Sequence, residues 1–199
     1  MRQTMRTARH DPVLGLDAYC LRGLERPFPS HFHGHYVIGV VERGTRTLTC
    51  GRRREAIGPG DVLLLNPGDS HGCVREDGAL DYRGLNIPRD TMMSLAEETL
   101  GRRILPDFTR PVVRDRELAR RLRDLHRAVL EEGSPLRLEE ALVLAFGHLL
   151  PDYAGQAETA ACRAEVARAC VFMRGRFAQP LPLADISRQA GLSKSALVR

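Results

Sequence analysis

Two turns, Gly58-Pro59-Gly60-Asp61 and Asn66-Pro67-Gly68-Asp69, fence a run of only four apolar residues, Val62 to Leu65. Glycine and proline are the strongest local punctuators of a chain, and so short an apolar run between them suits a strand. The same rhythm continues on either side. Tyr36-Val37-Ile38-Gly39-Val40-Val41 is an apolar, β-branched run followed by a turn at Glu42-Arg43-Gly44-Thr45. Thr45 to Thr49 is rich in threonine, Gly51-Arg52-Arg53 reads as a hairpin loop, and Leu80 to Ile87 is a further strand. Short strands at this spacing predict an antiparallel barrel or sandwich over about residues 28–87.

The periodicity then changes. Leu118, Leu122, Leu125, Val129 and Leu130 recur at helical spacing, and Glu131-Glu132-Gly133 ends that helix. Ser134-Pro135 reads as an N-cap with proline at the first helical position, and Leu138, Leu142, Ala145 and Leu149 form the stripe of a second helix. The resulting helical hairpin has apolar stripes that can pack on the barrel, on a second copy of the chain, or on both. Residues 151–162 are polar, small and aperiodic, as a linker is. A third helix is expected from about Arg163 to Arg176, and a short one from Leu183 to Ala190 after Pro180 and Pro182.

The expected class is therefore mainly β plus α: a barrel (1–90), a helical connector (91–150), a linker (151–162) and a further helical unit (163–199). No stretch approaches the roughly 18 apolar residues of a membrane span. The basic N-terminus lacks the apolar core of a signal peptide, so a cytoplasmic protein is expected. Five cysteines (Cys20, Cys50, Cys73, Cys162, Cys170) form no CxxC pair and read as scattered reduced thiols.

Charge is segregated. Ala161 to Arg199 carries seven basic and two acidic residues, a net of +5, which is the whole formal charge of the chain. A basic terminal segment is the footprint of a polyanion-binding element, because phosphate neutralisation dominates nucleic-acid affinity.

Two constellations carry chemistry. In the first, His31 and His33 are two apart and share a face if extended, and His71 follows Pro67-Gly68-Asp69. This resembles the two cupin motifs, which implies a double-stranded β-barrel with its motif histidines converging inside. Imidazoles from two strands suit a divalent metal or a polar pocket lining. Metal-binding cupins add a glutamate four or five residues after the histidine pair, where this chain has Val37 and Ile38; the nearest acid is Glu42. The resemblance thus leaves room for a three-histidine metal site at His31, His33 and His71, with a ligand pocket as the competing use of the same residues. Of His35, Tyr36 and Arg46, Tyr36 is the one that recurs in related sensor barrels. His10, His126 and His148 read as ordinary surface or helix residues.

In the second constellation, Ile186, Leu192 and Leu197 can fill a small core, Gly191 sits at the turn, and Ser193 is a good N-cap. Lys194, Ser195 and Arg199 then lie on or near a face that can enter the major groove, with Ser193 at its start.

The order of parts resembles the AraC/XylS family of transcription regulators. The residues that carry the likeness are His31, His33 and Tyr36, the Pro-Gly-Asp turn with His71, and the Ser193, Leu197, Arg199 pattern. The family implies a cupin-like sensor that binds a small effector through His31, His33, Tyr36 and His71, a homodimer, and DNA contacts from Ser193, Lys194, Ser195 and Arg199. The family's DNA-binding domain has two helix-turn-helix units, so a truncated regulator that binds its operator weakly is expected. No nucleophile elbow, phosphate loop or paired carboxylates argue for catalysis. The alternative is a metal-dependent cupin enzyme of dioxygenase or isomerase type.

Overall fold

A computed structural model describes residues 5–131, 134–156, 161–176, 179–194 and 197. The chain divides into two compact units, Met1–Gln156 and Ala157–Arg199.

The first unit is built around two long strands, β4 (Tyr36–Cys50) and β7 (His71–Ile87). They pair antiparallel from Tyr36↔Ile87 to Cys50↔His71, with register shifts between Val41 and Arg46 that bend them. Each half of these strands therefore has its own neighbours. The first half of β4 pairs with β6 (Val62–Leu65) and its second half with β5 (Arg53–Ile57). The late half of β7 pairs with β2 (Leu16–Leu24), which pairs with β1 (Met5–Asp11); its early half pairs with β3 (Phe28–His31). One sheet thus folds back on itself into a cupin-like double-stranded β-barrel, extended at its edge by β9 (Val112–Val113) on β6.

Side-chain alternation sorts the apolar residues onto two faces. Tyr36, Ile38, Val40, Val62, Leu64 and Leu85 point outward into a core shared with the helices. Val41, Leu63 and Tyr82 point inward, with Leu48, Ile57 and Leu80. Both faces of β4 are covered, which is why its first six residues are all buried and its sequence shows no alternation.

Three helices cover the outer face: α1 (Arg89–Leu100), α2 (Arg116–Leu130) and α3 (Pro135–Tyr153). The α2 N-cap is Asp115, whose carboxylate accepts from the Leu118 amide; Ser134 caps α3 with Pro135 behind it. The expected hairpin stripes are those that are buried: Leu118, Leu122 and Leu125 on α2, Leu138, Leu142 and Leu149 on α3.

Part of the expected linker is structured. Pro151 lies within α3, and residues 154–156 form strand β10 (Ala154–Gln156) against β8 (Pro106–Phe108). A proline so near a helix end removes only one intrahelical bond. The Tyr153 hydroxyl then donates to Asp115 Oδ2 at 2.7 Å, which anchors the end of α3 to the start of α2.

The second unit holds α4 (Ala161–Gly175) and α5 (Leu183–Ala190). Gly191 ends α5 in the left-handed region, at φ 72°, where its amide reaches the Arg188 and Ser187 carbonyls. The Leu197 amide donates to the Ser193 carbonyl, so a new helical turn opens at Ser193, as an N-cap requires. Among the described residues no helix is long and apolar enough to cross a membrane.

Candidate functional site

The barrel holds a partly open cavity of about 240 Å³. His31, His33 and His71 line it, and their potential ligand nitrogens all lie within 4.8 Å of one another. Local structure explains the convergence. His31 ends β3 and faces His71 at the start of β7 as its cross-strand partner. His33 is brought in by the turn that precedes His71: Gly68 donates its amide to the His33 carbonyl at 2.8 Å. Asp69 Oδ2 accepts from both the amide and the side chain of Asn66, which braces that turn.

The protonation pattern follows from the backbone. His31 Nδ1 lies 2.7 Å from the Pro29 carbonyl oxygen and His71 Nδ1 lies 2.8 Å from that of Asp69. A carbonyl can only accept, so each Nδ1 carries a proton, and in the neutral ring Nε2 is then the nitrogen with the lone pair. Burial, with His35, His71 and His31 alongside, pushes His33 down to about 4; burial likewise lowers His71. At neutral pH both are uncharged acceptors. A carbonyl-tied Nδ1 that leaves Nε2 to face the cluster also suits metal-bound histidine; His31 and His71 have it, and His33 lies within reach as a third ligand to a divalent ion. Glu42 is no fourth ligand: it pairs with Arg83 and, from α2, Arg123.

The two ends of β4 meet at these histidines. His33 precedes its first residues, while His71, whose ring lies 5.3 Å from that of His33, pairs with its last, Cys50. The bend of the strand is therefore the far end of the barrel. There Arg46, fully buried, donates to the carbonyls of Thr45, Gly78 and Leu24. Arg46 is a structural closure and does not line the cavity.

Tyr36 is a correction. It is 2% exposed, belongs to the outward core, and its hydroxyl donates to the Pro106 carbonyl at 2.8 Å. Its neighbour Val37 lines the cavity, and adjacent strand residues point opposite ways. His126 is a helix residue on α2, but a buried one: it is 1% exposed, with Nε2 2.7 Å from the Tyr19 carbonyl.

Sequence reasoning missed Tyr19, Tyr82, Asn86 and Arg6, all cavity-lining. The tyrosines lie over a glycine pair, Gly39↔Gly84. A Cβ on Gly39 would stand 2.3 Å from Tyr82 Oη, and one on Gly84 2.4 Å from Tyr19 Cζ. Tyr82 Oη is buried beside the Tyr19 hydroxyl without a well-formed hydrogen bond among the described residues. Burial pushes Tyr19 up to about 12 and raises Tyr82 well above its usual value, so both stay neutral. The available signal was the alternation of Tyr82, Gly84 and Asn86 on one strand.

Residues 14–146 match the AraC-like ligand binding domain family. The chain belongs to the AraC/XylS family of regulators. Over 203 residues the AraC-family chain is 37% identical to YbfI of Bacillus subtilis (strain 168), named as an uncharacterized HTH-type transcriptional regulator; the match covers all of this chain and 74% of that protein. Among solved structures it is similar to KdgF from Halomonas sp., with 22% identity, a TM-score of 0.39, and 44% of this chain and 89% of that one covered. A cupin superfamily protein from Desulfitobacterium hafniense DCB-2 gives 12%, 0.37, 44% and 79%. In the second unit Ser193 and Lys194 are exposed, whereas Ser195 and Arg199 lie outside the described residues.

Proposed function

We propose that this regulator responds to a small effector bound in the barrel and binds DNA through the helix-turn-helix that begins at α5. The observation that carries the reading is the barrel cavity: histidines at one end, apolar walls, and the AraC-like domain around it. An effector acts only through a difference in its affinity for two arrangements of the protein. In this reading His31, His33 and His71 contact the effector, while Ser193, Lys194, Ser195 and Arg199 face DNA, in a cytoplasmic binding protein that is not an enzyme.

The partner copy is supported by α3. Leu136, Val143 and Leu144 are 75%, 63% and 45% exposed, and their spacing of seven and eight residues places them on one helical face. A homodimer buries that face.

The test is a reporter strain carrying the regulator gene and its promoter, exposed to a small-molecule panel. His33→Ala and His71→Ala are expected to shift the dose–response curve while the purified variants melt within a few degrees of the parent. Unchanged curves in both would refute the histidine pocket.

The carbonyl-tied imidazoles favour a second reading, a metal-dependent cupin enzyme. A divalent ion on His31, His33 and His71 would supply Lewis-acid chemistry, with the tyrosines and Asn86 orienting a substrate. Stoichiometric iron or manganese in the purified protein would favour it.

A further inference from the structure

The cavity is chemically two-ended. At the histidine end, the Nδ1 atoms of His31 and His71 are occupied by backbone carbonyls, which leaves their Nε2 atoms to meet a ligand. Deeper in, Tyr82 Oη and the Tyr19 ring lie over Gly39 and Gly84. Gly84 is two residues along β7 from Asn86, which pairs with Val37 at the histidine end; that is about 7 Å of strand. The Tyr82 hydroxyl is a buried donor beside that of Tyr19, too poorly aligned with it to form a good hydrogen bond among the described residues, so an acceptor placed in the cavity is the better partner. Between the two ends the walls are Leu21, Leu48, Ile57, Leu63, Leu65 and Leu80. Among the described residues that line the cavity none is acidic, and Arg6 is basic, so an amine would enter without a counter-charge.

Resting on the reading of the barrel as the effector site, we propose that it takes a small uncharged aromatic molecule about one ring long. The molecule carries a hydroxyl group at one end, donated to the imidazoles, and a carbonyl-type acceptor at the other, which accepts from Tyr82. The ring lies among the leucines and beside the Tyr19 and Tyr82 rings, whose centroids are 6.0 Å apart.

Four probes separate the elements of this claim in calorimetric titrations of the purified chain. 4-Hydroxyacetophenone has both groups; 4-methoxyacetophenone lacks the donor, 4-ethylphenol lacks the acceptor, and tyramine adds a positive charge. The first is expected to bind tightest, each neutral analogue about tenfold weaker for one lost hydrogen bond, and tyramine weakest. Tyr82→Phe is expected to weaken 4-hydroxyacetophenone about tenfold and to leave 4-ethylphenol unchanged. A merely structural Tyr82 would weaken both alike. Equal binding of the four probes, or parallel losses in Tyr82→Phe, overturns the proposal. If none binds, this ligand class is wrong; whether the barrel senses at all is decided separately by the His33→Ala and His71→Ala dose–response curves.

Discussion

His126 Nε2 on α2 lies 2.7 Å from the carbonyl oxygen of Tyr19 on β2. The carbonyl accepts, so His126 is the Nε2-protonated tautomer, and its Nδ1 is buried without a hydrogen bond among the described residues. A helix on the outside of the barrel is thereby fastened to the residue whose ring lines the inside.

Removal of that fastening has a thermodynamic consequence. His126→Ala is expected to lower unfolding stability by about 2–4 kcal/mol in urea, from a cavity plus a lost hydrogen bond. The pH dependence has a definite sign. Burial lowers the His126 pKa below its ordinary 6.5, so the folded state prefers the neutral ring. Its contribution is full above about pH 6.5 and is lost as pH falls toward the folded value. The parent should therefore lose stability below pH 6.5 more steeply than His126→Gln; identical slopes would show that the ring protonates freely.

The glycine pair predicts an asymmetry. At Gly39 a Cβ meets the Arg83 carbonyl oxygen at 2.2 Å as well as Tyr82, whereas at Gly84 its three nearest atoms all belong to the Tyr19 side chain. Backbone yields less than a side chain, so Gly39→Ala should cost about 2–3 kcal/mol and Gly84→Ala less. Equal melting temperatures for the two variants would contradict this packing.

The α3 face predicts an assembly. Val143→Lys places a charge at the centre of the exposed Leu136, Val143 and Leu144 surface. Light scattering should report a smaller mass for this variant than for the parent, with helical content unchanged. A monomeric parent would dismiss the dimer.

Lys194, the only lysine of the chain, predicts a salt effect. If it contacts phosphate, Lys194→Ala weakens DNA binding about equally for all sequences and reduces the slope of log affinity against log salt by about one. A change confined to one base position would assign it to base reading instead.

Much of this arrangement was legible in the residues. The turns around Val62 to Leu65, the cap Ser134 and the histidine cluster followed from spacing and turn chemistry. Tyr36 did not, because an apolar run buried on both sides carries no mark of which face is which; its assignment came from family resemblance, and its parity with Val37 contradicts it. β1, β2 and α1 went unread for a related reason. Leu16, Ala18 and Cys20 face one side of β2 and Tyr19 and Leu21 the other, so the segment shows little polar alternation. His126 looked unremarkable because its partner is a carbonyl 107 residues away in sequence.

Arg46 gives the barrel its direction. With that guanidinium tying three carbonyls together at the bent end, the imidazoles hold the opposite end of the barrel. An arginine committed to the backbone in this way keeps its charge out of the cavity.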